Sequence, residues 1–138
     1  MRILLDTNIV LDVLLQRQPW FDEAASVWQS CDAGRNVGFV SVVTVTNVYY
    51  FGRKVLGSRA ALQAVRAVLA AFEIVPADRL VLEKATKYPG SDYEDNVQIA
   101  GAIAASLDAI VTRDRTGFSH CPIPVLSPAE LLARLNAP

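Results

Sequence analysis

Residues 3–8 read Ile-Leu-Leu-Asp-Thr-Asn, so that a short apolar run leads directly into three polar side chains. A continuous apolar run of this length is typical of a strand buried on both faces of a sheet. Asp6, Thr7 and Asn8 can cap a helix that opens at Ile9. The segment therefore predicts a strand whose polar end lies at the carboxyl edge of a parallel sheet, where such folds bind their ligands.

Strands and helices alternate along the remaining sequence. Further strands are predicted at residues 37–41, 72–75, 109–111 and 124–126. Helices are predicted at residues 9–16, 20–31, 42–56, 59–71, 78–87 and 95–107, with a last one after Ser127. This order predicts an α/β fold: a three-layer α/β/α sandwich around a short, mostly parallel central sheet of about five strands, formed by one domain over residues 1–138.

Three of these helices carry local features that bear on the prediction. The helix at 42–56 begins with valines and threonines, which favour strands and so oppose the assignment locally. Ser58 is expected to cap the helix that follows it. The helix at 95–107 is rich in alanine and glycine, which suits a close approach to the sheet or to another helix.

The composition is that of a globular domain, with 52% hydrophobic residues, 20% charged residues and a formal net charge of -1. This balance gives no strong overall field for a polyanion, so a nucleic-acid site needs a local basic patch or bridging metal ions. No segment has the layout of a signal peptide or the length of a membrane span, and a cytoplasmic protein is expected. Cys31 and Cys121 are interpreted as reduced thiols, with a disulfide as the alternative.

Three aspartates stand where the predicted topology can bring them together. Asp6 ends the first strand, Asp114 follows a late strand, and Asp95 begins the helix that leads into that strand. All three can converge at one edge of the sheet, with Asp92 and Glu94 beside them. Each aspartate alone could be a helix cap, a first-turn acid or a turn residue, so the inference depends on their joint placement.

Such a cluster is unfavourable without a counter-charge, because two like charges about 4 Å apart repel by roughly 4 kcal/mol at an effective dielectric constant of about 20. A divalent cation turns the repulsion into attraction, and oxygen ligands favour Mg²⁺ or Mn²⁺. The ion could bind a phosphate oxygen, generate a hydroxide nucleophile and stabilise the leaving oxygen. The cluster therefore predicts metal-dependent phosphodiester hydrolysis, which needs no catalytic histidine. The one histidine, His120, is placed in a loop.

Three motifs in this order resemble the PIN domain, and most of all the VapC-type toxins of bacterial toxin–antitoxin pairs. They are residues 6–8 after an apolar strand, residues 92–95 at a helix rich in small residues, and residues 112–114 after a late strand. Residues 123–128, before the last helix, are similar as well. The resemblance implies a magnesium- or manganese-dependent endoribonuclease with a three-layer fold, often dimeric, that is held inactive by a cognate antitoxin protein.

The resemblance also implies roles for individual residues. Asp6, Asp95 and Asp114 match the catalytic acids that bind the metal ion. Asp92 is a further candidate metal ligand. Asn8 and Thr112 match polar positions that orient those acids or the scissile phosphate.

One departure from the family concerns Asn47, which stands where an acid is usual on the third helix. Its amide offers a carbonyl ligand or a hydrogen bond but no negative charge, so it is assigned a supporting role, and Asp92 or Glu94 could supply the missing carboxylate. Gly117 stands where another acid is often found. The alternative function is therefore a catalytically weakened PIN-fold module that binds RNA or protein. A response-regulator receiver is disfavoured, because no lysine follows the last strand.

Four basic residues near these segments could contact RNA phosphates: Arg113, Arg115, Arg53 and Lys54. The alternative is a solvated surface, or pairing with nearby acids. Asp12, one turn beyond Asn8, is expected to face solvent, with an approach to the acidic site as the alternative.

Overall fold

A parallel sheet of five strands forms the centre of the computed structural model, which describes residues 1–138. The strands are β1 (Arg2–Leu5), β2 (Val37–Ser41), β3 (Glu73–Val75), β4 (Ala109–Val111) and β5 (Val125–Leu126). Their order across the sheet is β3-β2-β1-β4-β5, and every neighbouring pair is parallel. The first strand is therefore central, which explains why its apolar run has no polar alternation.

Helices cover both faces of this sheet. They are α1 (Thr7–Leu14), α2 (Phe21–Asp32), α3 (Val42–Leu56), α4 (Ser58–Ala71), α5 (Arg79–Ala85), α6 (Tyr93–Ala104) and α7 (Pro128–Leu135), with a 3-10 turn at Thr116–Phe118. Ile3 and Leu5 pack with α1, α2, α4 and α7 on one face. Leu4, which points the other way, packs with Ile99 of α6. The predicted three-layer α/β/α fold is confirmed.

The boundaries of five helices differ from the prediction by one to three residues. The helix α1 begins at Thr7 rather than at Ile9, because the Asp6 side chain itself caps it. The helix α4 begins at Ser58 itself, whose side chain makes no capping hydrogen bond, and Gly57 is the cap residue with φ 84°. The helix α6 begins at Tyr93, two residues before Asp95, because the Asp92 side chain caps it. Position 95 therefore lies in the first turn of α6.

Helix α3 forms although its first residues favour strands. The Val43 backbone N–H donates to Ser41 Oγ at 3.2 Å, which caps the helix at the end of β2. Thr44 and Val48 are fully buried on its inner face. Tertiary burial and capping thus outweigh the local preference of the β-branched residues.

The state of the two cysteines and the character of the helices also bear on the sequence analysis. Cys31 and Cys121 are both free thiols, as expected. None of the helices combines the length and apolar character that crossing a membrane requires.

Gly38 in β2 lets the sheet and α2 approach the aromatic core closely. A Cβ atom at this position would lie 2.6 Å from Phe72 Cδ1 and 2.9 Å from Cys31 Sγ. The Phe72 ring is itself fixed by an edge-on contact with Trp28, with 4.6 Å between the ring centroids. The ring therefore has little room to move aside.

We expect Gly38→Ala to lower the free energy of unfolding by about 1–3 kcal/mol, the usual effect of overpacking a core. Urea denaturation measures the change. Gly52→Ala in α3 is the matched control, because its Cβ would lie at an ordinary 3.5 Å from Ala61 Cβ. Removing that helical glycine is expected to raise the free energy of unfolding by about 0.5–1 kcal/mol. Equal stability of Gly38→Ala and the wild type would contradict the close packing.

Candidate metal-binding site

A cavity of about 350 Å³ opens at the carboxyl edge of the sheet, beside the ends of β1 and β4. Five carboxylates from three separate stretches of chain line it: Asp6, Asp92, Glu94, Asp95 and Asp114. The other lining residues are Thr7, Asn8, Leu11, Arg17, Asn47 and Phe51. The structure therefore brings together all four acids that the sequence singled out as metal ligands, and Glu94 with them.

Asp6 is the most constrained of these acids. Its Oδ1 accepts hydrogen bonds from the Thr7 backbone N–H at 2.7 Å and from Gln98 Nε2 at 2.9 Å, and its Oδ2 accepts one from Thr112 Oγ1 at 2.7 Å. Only 6% of the residue is exposed. Burial raises the pKa of Asp6 above its ordinary value, and these three hydrogen bonds oppose the rise. The carboxylate is thus held in one orientation at the end of the central strand.

The carboxyl group of Asp95 is partly buried and is repelled by the other carboxylates of the cavity. Desolvation, followed by repulsion from Asp6, Asp92, Glu94 and Asp114, raises the pKa of Asp95 to about 7. The carboxyl group is therefore close to half-protonated at neutral pH. Such a group readily exchanges its proton for a cation.

Asp92 and Asp114 complete the acidic wall from two loops. Asp92 Oδ1 accepts a hydrogen bond from the Asp95 backbone N–H at 3.2 Å, so the same side chain caps α6. Asp114 is exposed, and hydrogen bonds from Thr116 lower the pKa of its carboxyl group. The Asp114 backbone N–H donates to Thr112 Oγ1 at 3.1 Å, and the same hydroxyl donates to Asp6. Thr112 therefore ties two of the acids together.

The family that the sequence resembles is also the one whose model matches. A model of the PIN domain matches residues 2–116, which is most of the chain. The chain belongs to the PIN-domain family. No curated protein sequence matches it significantly.

Solved structures agree with this fold. A toxin–antitoxin complex from Klebsiella pneumoniae is 25% identical over 91% of this chain and 97% of that chain, with a TM-score of 0.68. VapC20 from Mycobacterium tuberculosis, described as a toxin that cleaves the sarcin–ricin loop, is 14% identical over 85% and 93% of the two chains, with a TM-score of 0.70. DNA-bound VapBC from Salmonella typhimurium is 17% identical over 93% and 98%, with a TM-score of 0.71.

Asn47 of this PIN domain lines the cavity and contacts one of its acids. Its Nδ2 donates to Glu94 Oε1 at 2.8 Å. The Thr7 hydroxyl donates to the same oxygen at 3.4 Å. A glutamate on α6 thus lies beside the position on α3 where the resemblance implied an acid.

Asn8 and Gly117, the other two positions that the resemblance marked, both lie against the acidic cluster. Asn8 Nδ2 donates to Thr112 Oγ1 at 3.3 Å, so it supports the threonine that holds Asp6. A Cβ atom at Gly117 would lie 1.8 Å from Asp95 Oδ2. The absence of a side chain at 117 therefore makes room for the Asp95 carboxylate.

The structure gives the predicted RNA-binding residues other partners. Arg113 donates two hydrogen bonds to Asp12, at 2.7 and 3.3 Å, and its guanidinium carbon lies 3.8 Å from the centre of the Trp20 ring. Arg115 pairs with Glu130 on α7. Neither arginine lines the cavity.

The basic pair on α3 is likewise outside the cavity. Arg53 lies over Tyr49 and Tyr50, 5.9 and 5.6 Å from the ring centres, and Lys54 lies 5.8 Å from the ring centre of Phe51. RNA contact by these residues, as by the two arginines near Asp114, stays a prediction.

Three residues were missed or misplaced by sequence reasoning. Asp12 was expected in solvent, but its side chain is fully buried and pairs with Arg113 and Arg17. Arg17 lines the cavity. Gln98, which holds Asp6, lies three residues after Asp95 on α6, and this helical spacing could have identified it.

The cavity suits a hard divalent cation, although no three of its acids form a ready ligand set in their present orientations. All the candidate ligands are carboxylate or amide oxygens, the donors that Mg²⁺ and Mn²⁺ prefer. The repulsion that raises the pKa of Asp95 also shows an excess of negative charge, which a dication would neutralise. Asp92 and Asp114 are the two exposed acids of the cavity, and each accepts one backbone N–H, from Asp95 and Thr116 respectively.

We expect the metal-free protein to lose stability as the pH rises from about 4 to about 7. The folded state keeps the proton of Asp95 in this window, whereas the unfolded state releases it, because the pKa is about 7 in the fold against an ordinary value of 3.8. Melting temperatures in EDTA at about pH 5 and pH 8 measure the effect.

Asp95→Asn should reduce this difference between the two pH values, and Asp32→Asn, an exposed aspartate at the end of α2, should leave it unchanged. The explanation fails if Asp95→Asn melts with the same pH dependence as the wild type.

We expect Arg113→Ala to lower the free energy of unfolding by about 3 kcal/mol, because the substitution leaves Asp12 buried without its closest partner. Chemical denaturation gives the value. The matched control is Arg115→Ala, which removes an exposed pair with Glu130 and should change the stability little. An equal effect of the two substitutions would argue against a structural role of Arg113.

Proposed function

We propose that this single-domain PIN protein is a divalent-metal-dependent endoribonuclease and the toxin of a type II toxin–antitoxin pair. The observation that carries the proposal is the cavity in which five carboxylates from three separate stretches of chain meet. A fold gains no stability from collecting like charges in this way. A bound dication would neutralise the clustered charges and so account for the arrangement.

Two kinds of similarity support the proposal. The chain belongs to the PIN-domain family over residues 2–116. Its structural relatives include VapC20, described as a sarcin–ricin loop cleaving toxin, and the toxin–antitoxin complex from Klebsiella pneumoniae. Cleavage of RNA by the present chain is inferred from these together with the cavity.

Asp6, Asp95 and Asp114 would hold the Mg²⁺ or Mn²⁺ ion, with Asp92 as a further ligand. Such an ion, when bound, polarises a phosphodiester oxygen and activates water as the nucleophile. Gln98 and Thr112 keep Asp6 fixed, so that its orientation needs no rearrangement on binding.

Binding of the metal ion by Asp95 depends on whether its carboxyl group is protonated. A group with a pKa of about 7 must lose its proton before it can act as a ligand. Metal uptake should therefore release protons and strengthen as the pH rises through neutrality. Asn8 and Asn47 support the site by holding Thr112 and Glu94 respectively.

One observation favours a second candidate, the catalytically weakened module that binds RNA or protein. Asn47 carries no charge, and its amide engages Glu94 rather than leaving that carboxylate free. Under the nuclease proposal, Glu94 supplies the negative charge that position 47 lacks. Titration with Mn²⁺ separates the two candidates, because a binding module need not take up the ion.

We propose two protein partners for this chain, a cognate antitoxin and a second copy of the chain itself. VapBC structures and the Klebsiella pneumoniae complex are toxin–antitoxin assemblies, and we infer a cognate antitoxin for this chain by similarity. Several large apolar side chains on α3 are exposed, as on surfaces that partners cover: Tyr50, Phe51, Val55 and Leu56. Homodimer formation is also inferred, and light scattering of the purified protein tests it.

We expect Asp6→Asn to abolish RNA cleavage and to weaken Mn²⁺ binding strongly while the fold remains intact. The amide keeps an oxygen that can cap α1 but loses the charge that binds the ion. Cleavage of labelled RNA in Mn²⁺, calorimetric titration with Mn²⁺ and circular dichroism measure the three properties.

Asp32→Asn serves as the control for the loss of one carboxylate, because it lies at the end of α2 away from the cavity. It should cleave RNA like the wild type. Unchanged RNA degradation by Asp6→Asn, or a wild type that takes up no Mn²⁺, would refute the proposal.

A further inference from the structure

Arg17 is the only basic side chain among the residues that line the acidic cavity. It belongs to the connection between α1 and α2, and its backbone N–H donates to the Asp12 carbonyl at 3.0 Å. Its side chain is 34% exposed. The chain therefore places one cation on the rim of a cavity that is otherwise lined by acids and neutral residues.

The ion pair of Arg17 with Asp12 is loose. Arg17 Nη1 lies 3.7 Å from Asp12 Oδ1, beyond hydrogen-bond distance. Arg113 already satisfies the same carboxylate with hydrogen bonds of 2.7 and 3.3 Å and lies against Trp20. Neutralising the buried Asp12 thus depends on Arg113, and the guanidinium N–H groups of Arg17 remain available to a ligand.

We propose that Arg17, which lines the cavity, binds a phosphate group of the RNA substrate beside the proposed metal site. The inference rests on the proposed nuclease function and adds a residue to its substrate-binding surface. A guanidinium group matches two phosphate oxygens at once through its planar N–H donors. Five nearby carboxylates repel a polyanion, so a cation at this rim offsets repulsion that the bound metal leaves uncompensated.

Asp12 interacts differently with the two arginines beside it. Its side chain is fully buried, so its charge is strongly felt by both arginines. The carboxylate holds Arg113 rigidly and attracts Arg17 without hydrogen-bonding it. Arg113 is thus held by Asp12 for a structural role, whereas Arg17 remains available to the substrate.

The salt dependence of RNA affinity tests the inference, because an arginine that serves only the fold does not change it. The probe is a short fluorescein-labelled single-stranded RNA of mixed sequence, followed by anisotropy in Ca²⁺ between about 50 and 200 mM salt. The full chain is used throughout, and circular dichroism checks that each variant is folded.

We expect Arg17→Ala to weaken binding about tenfold and to reduce the slope of log affinity against log salt by about 0.7, the contribution of one phosphate contact. Arg17→Lys should restore the slope, because it restores the charge. Arg35→Ala is the matched control and should behave like the wild type, since Arg35 is exposed before β2 at the opposite edge of the sheet.

A kinetic measurement in Mn²⁺ complements the binding data. Arg17→Ala should raise KM and leave kcat near the wild-type value, as expected for loss of uniform substrate binding. Mn²⁺ uptake should not decrease, because Arg17 is not a metal ligand.

Failure of the inference and failure of the proposed function give different results. If the wild type takes up Mn²⁺ and cleaves RNA but Arg17→Ala keeps its salt slope and KM, the inference alone is overturned. If Arg35→Ala loses as much affinity as Arg17→Ala, the effect is nonspecific and the inference is again overturned. A wild type that neither takes up Mn²⁺ nor cleaves RNA overturns the proposed function, and the inference with it.

Discussion

The hydrogen bonding of one buried carboxylate, Asp6, connects the parts of this structure. The two carboxylate oxygens of Asp6 accept hydrogen bonds from α1, from α6 and from the segment after β4. These three segments are remote from one another in sequence. A charged group removed from water is tolerated only when such donors replace its hydration. The same three contacts hold the elements around the cavity in register. The same hydrogen bonds therefore both orient the Asp6 carboxylate and hold the edge of the sheet together.

The other carboxylates of the cavity lower the stability of the fold when they are ionised together. Burial, followed by repulsion from the other acids, raises the pKa of Asp95 to about 7, so the folded chain resists full ionisation of its own cavity. Two nearby arginines do not relieve this repulsion, because Arg113 pairs with Asp12 and Arg115 with Glu130, and Arg17 is the one basic residue that lines the cavity. The cavity is thus lined by five carboxylates and a single basic residue.

Much of the architecture follows from local patterns, and the exceptions have definable causes. The apolar run before Asp6 predicts the central strand, and the rule that parallel strands end at one edge predicts where the acids meet. The burial of Asp12 was missed because its partner Arg113 lies 101 residues away, and no helical period reveals such a contact. The α6 start was placed late because Asp92 was not recognised as the cap. Helical spacing from Asp95 would have identified Gln98, whereas the place of Arg17 beside Asp12 and the cavity follows only from the tertiary structure.

Gly117 has a consequence for the motion of the loop that follows β4. The turn at Thr116–Phe118 lies so close to Asp95 that even a methyl group at 117 would overlap its carboxylate, and Phe118 anchors the turn in the core. The turn is thus part of what shields Asp95 from water. Lifting it would rehydrate the carboxylate and favour release of its proton, and loss of that proton would in return favour the lifted state. The proton affinity of Asp95 therefore depends on the place of this turn against its carboxylate.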